Sequence, residues 1–383
     1  MGGAERACII GAGSSGIAAA KVLHERGIPF DAFEMGSGIG GLWRYENDSG
    51  RAPAYASLHI NTSRDRTGFS DFPIPPDRPD FLSHRQLLAY FEDYVDHFGF
   101  RDRITFRTRV ERVAPAPGGA YDVTVRSLTT GETTTARYGA VLVASGHHWD
   151  PYVPAFEGTF EGRVLHSSAY RTPEIFEGRR VLVVGVGNSG CDVACEAARV
   201  AEHVFLSTRR GAYIIPKYLL GRPLDVWVTP FSTRLPRPVQ RLAYRALVYL
   251  SRGRQEPYFP TPDHPLGNEH PTVSSDLLGL IGHGEITVKP GVDRLAGSRV
   301  RFADGTDEAV DVIVLATGYN VTFPFFDADF IRPEENRLPL YRRVVPPEHP
   351  NLYFIGLIQP IGAVMPLAEA QSEWVADLLG GRA

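Results

Sequence analysis

The strongest constraint on this chain is a pattern that occurs twice. Residues 7–34, ACIIGAGSSGIAAAKVLHERGIPFDAFE, read as strand, glycine turn, helix, strand. The run Ala7–Ile10 is short, apolar and unalternated, as in a parallel strand buried on both faces. Gly11, Gly13 and Gly16 form GxGxxG: the first permits the tight turn, the second lets a pyrophosphate approach the backbone, and the third lets helix and strand pack closely. Ser14 or Ser15 can start the helix and Gly27 can end it. The free N–H groups of the helix start then face the phosphates. One such turn is weak evidence. Residues 180–210, RVLVVGVGNSGCDVACEAARVAEHVFLSTRR, repeat the plan with Gly185, Gly187 and Gly190. Downstream of each copy lies an apolar strand ending in a small turn, AVLVASG (140–146) and VIVLATG (312–318). Gly11 to Ala144 is 133 positions and Gly185 to Ala316 is 131. Shared spacing of that kind marks an internal repeat, two dinucleotide-binding domains in tandem.

The two copies differ at one telling place. Glu34 lies 23 residues after Gly11, and Arg209 lies 24 after Gly185. Both mark the end of the second strand, where an adenosine ribose sits. A carboxylate there accepts hydrogen bonds from the ribose hydroxyls and repels a 2′-phosphate. Arginine does the reverse. Arg210 adjoins Arg209, and Ser207 and Thr208 offer hydroxyl donors. The second site is therefore expected to prefer NADPH over NADH; a solvated surface pair of arginines is the plainer alternative. The first site takes a nucleotide without the 2′-phosphate. A protein with an NADPH site beside a second dinucleotide site usually passes a hydride to a flavin, so FAD is inferred there.

The remaining residues exclude several chemistries. A net charge of −4 gives no reason to expect nucleic acid or an anionic membrane. No apolar run approaches the roughly 18 residues of a membrane span, and no secretory signal is read at the start, so a cytoplasmic protein is expected. Three cysteines form no CxxC pair. Cys191 and Cys195, four apart on a helix, would hold their Cβ atoms ~5–6 Å apart, beyond the ~3.5–4.5 Å of a disulfide. The twelve histidines make no HExxH spacing, and there is no GxSxG elbow. His147 and His148 are adjacent, expected to point apart and to be structural.

FEGRVLHSSAY (160–170) matches FxGxxxHxxxY through Phe160, Gly162, His166 and Tyr170. Further landmarks follow in order: GGLWRYENDSG (40–50), LHINTSRD (58–65), FSDFPIP (69–75), GVGNSGCD (185–192), HPTVSSDLLGLIGHGEITVKP (270–290), LATGYN (315–320) and YFIGLIQPIGAVMPLAEAQSEW (353–374). In these, nearly end to end, the chain resembles the flavin-containing monooxygenases, and the soluble bacterial type in particular. The related Baeyer–Villiger enzymes end the fingerprint with Trp, where this chain has Tyr170.

The resemblance implies that NADPH reduces FAD, that dioxygen adds to the flavin as a C4a hydroperoxide, and that an amine nitrogen or a sulfide sulfur of a small molecule takes the distal oxygen. It implies that Asn61 stands beside the flavin and the nicotinamide ribose, and that Gly41, Leu42, Trp43, Thr62 and Gln371 contact FAD. Asn188, Ser189, Gly190 and Asp192 open the NADPH-domain helix; Asp192 also reads as a first-turn acid favoured by the helix dipole. His166 and Tyr170 are expected to support a hinge and take no part in bond breaking. Ketone oxygenation, or an NADPH oxidase or quinone reductase, are the alternatives.

The expected architecture is α/β, two Rossmann-like domains with the NADPH domain (173–321) inserted in a discontinuous FAD domain (1–172 and 322–383). Ser83 and Gln86 form a capping box for a scaffold helix that Gly99 stops, with Leu87, Leu88, Phe91, Tyr94, Val95 and Phe98 along one face. Residues 211–270 do not fit the repeat. Within them PVQRLAYRALVYLSRGR (238–254) reads as an amphipathic basic helix, which either packs on its own domain or lies on a membrane surface. Relatives run on beyond QSEW and animal microsomal members carry an apolar anchor, so a lid, dimer contact or anchor of that kind is not expected here. A homodimer is compatible with the sequence.

Overall fold

A computed structural model describes residues 6–229, 234–256, 258–266, 271–360 and 362–382. His270 and Ile361 of the landmark stretches, and parts of the 211–270 insert, lie outside the described residues. The chain divides into two compact units, Met1–Asp150 with Tyr319–Ala383, and Pro151–Gly318. The divisions fall before the 172 and 321 read from sequence. Residues 151–172 join the second unit because Glu157–Phe160 pairs with Val292–Gly297 and Arg163–His166 pairs with Val312–Leu315.

The first unit is built on five parallel strands in the order Leu352–Phe354, Ala140–Val143, Ala7–Ile10, Phe30–Phe33, Ile104–Thr105. Its central strands are buried on both faces, as their unalternated sequences require. Ile9 and Leu142 pack among Ile17, Leu23 and Phe91 on one side. Cys8, Ile10, Val141 and Val143 pack against Phe323, Phe326 and Phe354 on the other. Helix α1 (Ser14–Glu25) follows the glycine turn. Helix α2 (His84–Phe98) begins with both bonds of the Ser83/Gln86 capping box and ends at Gly99 with φ 70°. Tyr90, absent from the face read in sequence, is also buried there. Its hydroxyl donates to the Phe72 carbonyl (2.5 Å) and accepts from the Phe69 N–H (2.9 Å).

The second unit repeats the order: Arg163–His166, Val312–Leu315, Arg180–Val184, His203–Ser207, Ile286–Lys289, again parallel. In both sheets the glycine-turn strand lies between the strand that follows its helix and the distant strand found by the repeat. Helix α3 (Asn188–Ala197) takes the place of α1. Asp192 is its fifth residue, so it stands beyond the first turn, where the sequence reading had put it. The insert supplies helix α4 (Arg237–Arg252). Among the described residues no helix is long and apolar enough to cross a membrane, and no cluster of His, Cys, Asp and Glu is placed to hold a metal.

Candidate functional site

Each unit carries its own site at the carboxyl ends of its strands, where the sheet order reverses. That is where open α/β sheets bind ligands. In the first unit Gly11 has φ +100°, and a Cβ there would meet the Ala144 carbonyl oxygen at 2.8 Å. A Cβ on Gly16 would overlap the Gly11 carbonyl. These two glycines are required by the fold. Gly13 is not: a Cβ there would meet only Gly41, at 3.7 Å. The second unit matches. Gly185 (φ +109°) would collide with the Ala316 carbonyl and Gly190 with the Gly185 carbonyl, while Gly187 faces nothing within 4 Å. The repeat spacing thus records a contact, Gly11 on Ala144 and Gly185 on Ala316. In each unit the middle glycine leaves open space.

Around the first turn, Glu34 is buried at the end of its strand. Its Oε2 accepts from Ala12 N–H and its Oε1 from Gly36 N–H, both at 2.7 Å. Burial pushes its carboxyl pKa up, against the pull of those N–H donors. Each oxygen keeps a further lone pair. Gly40 N–H donates to the Ala12 carbonyl (2.9 Å), which lays the Gly41–Trp43 turn over the glycine loop. Leu42 and Trp43 are half-buried, and Trp43 packs on the core. Ser15 touches Gly356, whose N–H donates to Gln371 Oε1 at 2.8 Å. No side chain caps α1, so its first N–H groups are open.

Asn61 and Thr62 stand on a separate loop of the same unit. That loop is pinned by Ile60 N–H to the Leu82 carbonyl (2.9 Å) and Arg64 N–H to the Asp80 carbonyl (2.6 Å). The Thr62 carbonyl accepts from Thr67 Oγ1 at 3.2 Å. Among the described residues the half-buried Asn61 amide makes no hydrogen bond.

Sequence reasoning missed two groups here. Ser145 Oγ and His147 Nδ1 are buried without a hydrogen-bond partner, just past the strand that meets Gly11. The His147 and His148 rings do not point apart as expected; they pack 4.1 Å apart, because this segment leaves the regular strand on which that expectation rested. Burial lowers the His147 pKa. Orphaned polar atoms beside a glycine turn are the only signal, and sequence does not display them. Gly356 was visible within YFIGL but was not singled out.

In the second unit Asn188 Oδ1 accepts from Val273 N–H (2.8 Å), and Ser189 is half-buried beside it. The Ser207 hydroxyl donates to the Pro290 carbonyl (2.7 Å), so its proton is committed and it is no free donor, contrary to expectation. Thr208 Oγ1 accepts from Gly211 N–H (3.0 Å) and keeps its proton to give. Arg209 is exposed and makes no ion pair among the described residues. Arg210 stands 3.9 Å from Asp263. Of the fingerprint residues, His166 bonds the Gly318 carbonyl through Nε2 (3.0 Å), and the fully buried Tyr170 donates to Glu196 on α3.

These residues fit FAD and NADPH. Both middle glycines leave a cradle that a Cβ would fill, both helices start uncapped, and buried polar atoms lack partners beside the first turn. Fold and sites together define a flavoprotein oxidoreductase with two dinucleotide domains.

The chain matches the family described as "Flavin-binding monooxygenase-like" over residues 4–383, and it belongs to that family. It is 37% identical to flavin-containing monooxygenase 5 of Rattus norvegicus, covering 98% of this chain and 74% of the relative. It is 38% identical, with the same coverage, to dimethylaniline monooxygenase [N-oxide-forming] 2 of that organism. Among solved structures it resembles S-allyl-L-cysteine S-oxygenase from Allium sativum, with TM-score 0.73 and 27% identity over 99% of this chain and 77% of that one. The chain is an FAD- and NADPH-dependent monooxygenase.

Proposed function

We propose that this enzyme oxygenates a soft nucleophile, an amine nitrogen or a sulfide sulfur of a small molecule, with FAD in the first unit and NADPH in the second. The overall reaction consumes substrate, dioxygen, NADPH and a proton and gives the oxide, NADP+ and water. The observation that carries the reading is the contrast at the strand ends. A buried carboxylate, Glu34, closes one glycine turn, and an exposed arginine, Arg209, which makes no ion pair among the described residues, stands just past the second strand of the other unit. The choice of nitrogen or sulfur as acceptor is supported by the activities for which the N-oxide-forming and S-oxygenase relatives are named.

Bound FAD supplies the redox chemistry, taking a hydride from NADPH and passing the electrons to dioxygen. The chain's own residues do the rest. Gly13 and the start of α1 receive the FAD pyrophosphate on backbone N–H groups. Glu34 accepts the adenosine ribose hydroxyls with the lone pairs that Ala12 and Gly36 leave free. Gly41, Leu42, Trp43, Thr62, Ser15 and Gln371 line the same cofactor. In the second unit Gly187, Asn188 and Ser189 receive the NADPH pyrophosphate, and Thr208, Arg209 and Arg210 the 2′-phosphate. Asn61 donates amide N–H bonds at the reacting oxygen. An amide suits that position because it donates without releasing a proton, and a stray proton would divert the oxygen to hydrogen peroxide. No side chain has to act as a general base on a soft nucleophile that already carries its lone pair.

The test measures NADPH consumed, oxide formed and hydrogen peroxide released with a tertiary amine, a thioether and a cyclic ketone. Near-stoichiometric N- or S-oxide is expected. Lactone alone would transfer the enzyme to the Baeyer–Villiger type, and peroxide alone with every compound would make it an oxidase. The cradle is tested by a pair of glycine variants. Gly187→Ala should melt like the parent and bind NADPH at least about tenfold more weakly, because only the ligand meets the new methyl. Gly190→Ala should lose about 1–3 kcal/mol of stability from overpacking against Gly185 and Ala316. Equal NADPH affinity in Gly187→Ala would remove the pyrophosphate from this turn.

A further inference from the structure

Helix α2 reads from sequence as scaffold, yet both site segments of the first unit hang on its start. His84, Leu88 and Glu92 recur every four residues and so share one face. Leu88 and Glu92 hold the cofactor turn. Gly40 packs so closely on Leu88 that a Cβ there would collide with the leucine. The Arg44 guanidinium donates to Glu92 Oε1 at 2.7 Å. His84 continues the stripe, its ring packed on Tyr45 with centroids 5.3 Å apart. The loop of Asn61 is tied to the same helix start through the backbone. His84 N–H donates to the Leu58 carbonyl and Ile60 N–H to the Leu82 carbonyl, both at 2.9 Å. The His84 ring adds a third tie, with Nε2 3.2 Å from the Ala56 carbonyl.

A carbonyl only accepts, so Nε2 carries the proton and Nδ1 is bare in the neutral ring. Nδ1 is buried with no hydrogen-bond partner among the described residues, and the residue is 1% exposed. Burial above all, and then Arg85 and His59, lower the ring's pKa against the pull of the Ala56 and Trp43 backbone. An apolar side chain would fill this place at less cost, because it strands no polar atom. Ala56 is itself exposed, where water could serve its carbonyl. The imidazole bond therefore restrains the loop more than it satisfies it. We propose that His84 is a positioning residue for oxygenation: its ring sets the loop that carries Asn61 against the turn that carries Leu42 and Trp43. The proposal rests on the reading of Asn61 given above. A loop that drifts carries the Asn61 amide away from the reacting oxygen and leaves the NADPH residues of the second unit untouched.

The experiment compares His84→Leu, which removes the donor at similar size, with His84→Gln, whose side-chain amide can offer the Ala56 carbonyl an N–H in place of Nε2. Each holoenzyme is assayed, with the amine or thioether that the parent turns over best, for flavin reduction by NADPH, oxide and hydrogen peroxide per NADPH, and melting temperature. His84→Leu should lower oxide per NADPH at least about threefold, peroxide making up the difference, and keep reduction within about twofold. His84→Gln should return the parent's partition. The leucine variant should melt at or above the glutamine variant, since it buries no amide, so lost stability cannot explain the order. His84→Met replaces His84→Leu if that protein does not hold FAD. In Asn61→Ala, adding His84→Leu should change the partition no further, because the two act through one group. Parent-like oxide from His84→Leu, failure of His84→Gln to restore it, or added loss in the double variant would each overturn the proposal. If Asn61→Ala keeps its full oxide yield, the reading of Asn61 fails and this proposal with it. If Asn61→Ala uncouples and His84→Leu does not, the role of His84 alone is lost.

Discussion

Asn61→Ala is expected to leave reduction of the flavin by NADPH within about threefold of the parent rate while oxide formed per NADPH falls at least about tenfold, the missing electrons appearing as hydrogen peroxide. Loss of a single preorganised donor at a developing oxyanion typically costs ~100-fold or more in rate. The present case is set against a competing route to peroxide, so the effect is read as a partition. Two features make the variant clean. The Asn61 amide has no hydrogen-bond partner among the described residues, so its removal orphans nothing in the fold. The loop is held by backbone bonds of Ile60 and Arg64, which the substitution leaves in place. Asn61→Asp is a sharper companion. It keeps the size, loses the donor and adds a negative charge, so it should uncouple at least as strongly and also slow reduction. A full yield of oxide from Asn61→Ala would remove Asn61 from the oxygen site.

What could be read from sequence here was what local spacing encodes. The tandem domains were legible because each glycine turn and its distant Ala residue are a contact, and a contact kept in two copies leaves nearly equal spacing. Helix α2 was legible because Ser83, Gln86 and Gly99 act on their own neighbours. The boundary at Asp150 was not, since it depends on Glu157–Phe160 pairing with a strand more than a hundred residues away. Tyr90 was missed for a similar reason: its place in the core is set by the Phe69 and Phe72 backbone groups that its hydroxyl joins. Sequence offered Ser207 and Thr208 as equivalent hydroxyls, and only coordinates show that Pro290 takes the proton of one of them. Ser145 and His147 illustrate the same limit. A polar atom left without a partner is a property of everything around it, and no short motif announces it.

Arg209→Ala should weaken NADPH binding by about 1.5–3 kcal/mol, roughly 10- to 150-fold in Kd, while leaving NADH binding unchanged. The estimate rests on one charge-assisted contact to a phosphate that only NADPH carries. Folding should be indifferent to the change, within about 0.5 kcal/mol, because among the described residues Arg209 has no ion pair to break. Its neighbour gives the control. Arg210 faces Asp263 at 3.9 Å, so part of its charge is already answered, and Arg210→Ala should cost less. Because both guanidinium groups are exposed, the NADPH advantage should shrink as salt is raised. Arg209→Glu should go further and favour NADH, since a carboxylate one position past the register of Glu34 would repel the 2′-phosphate. An Arg209→Ala enzyme with the parent's NADPH preference would sink the assignment. If Arg210→Ala carried the loss instead, the 2′-phosphate would sit one residue beyond Arg209, which itself stands one position past Thr208, the residue that the strand register aligns with Glu34.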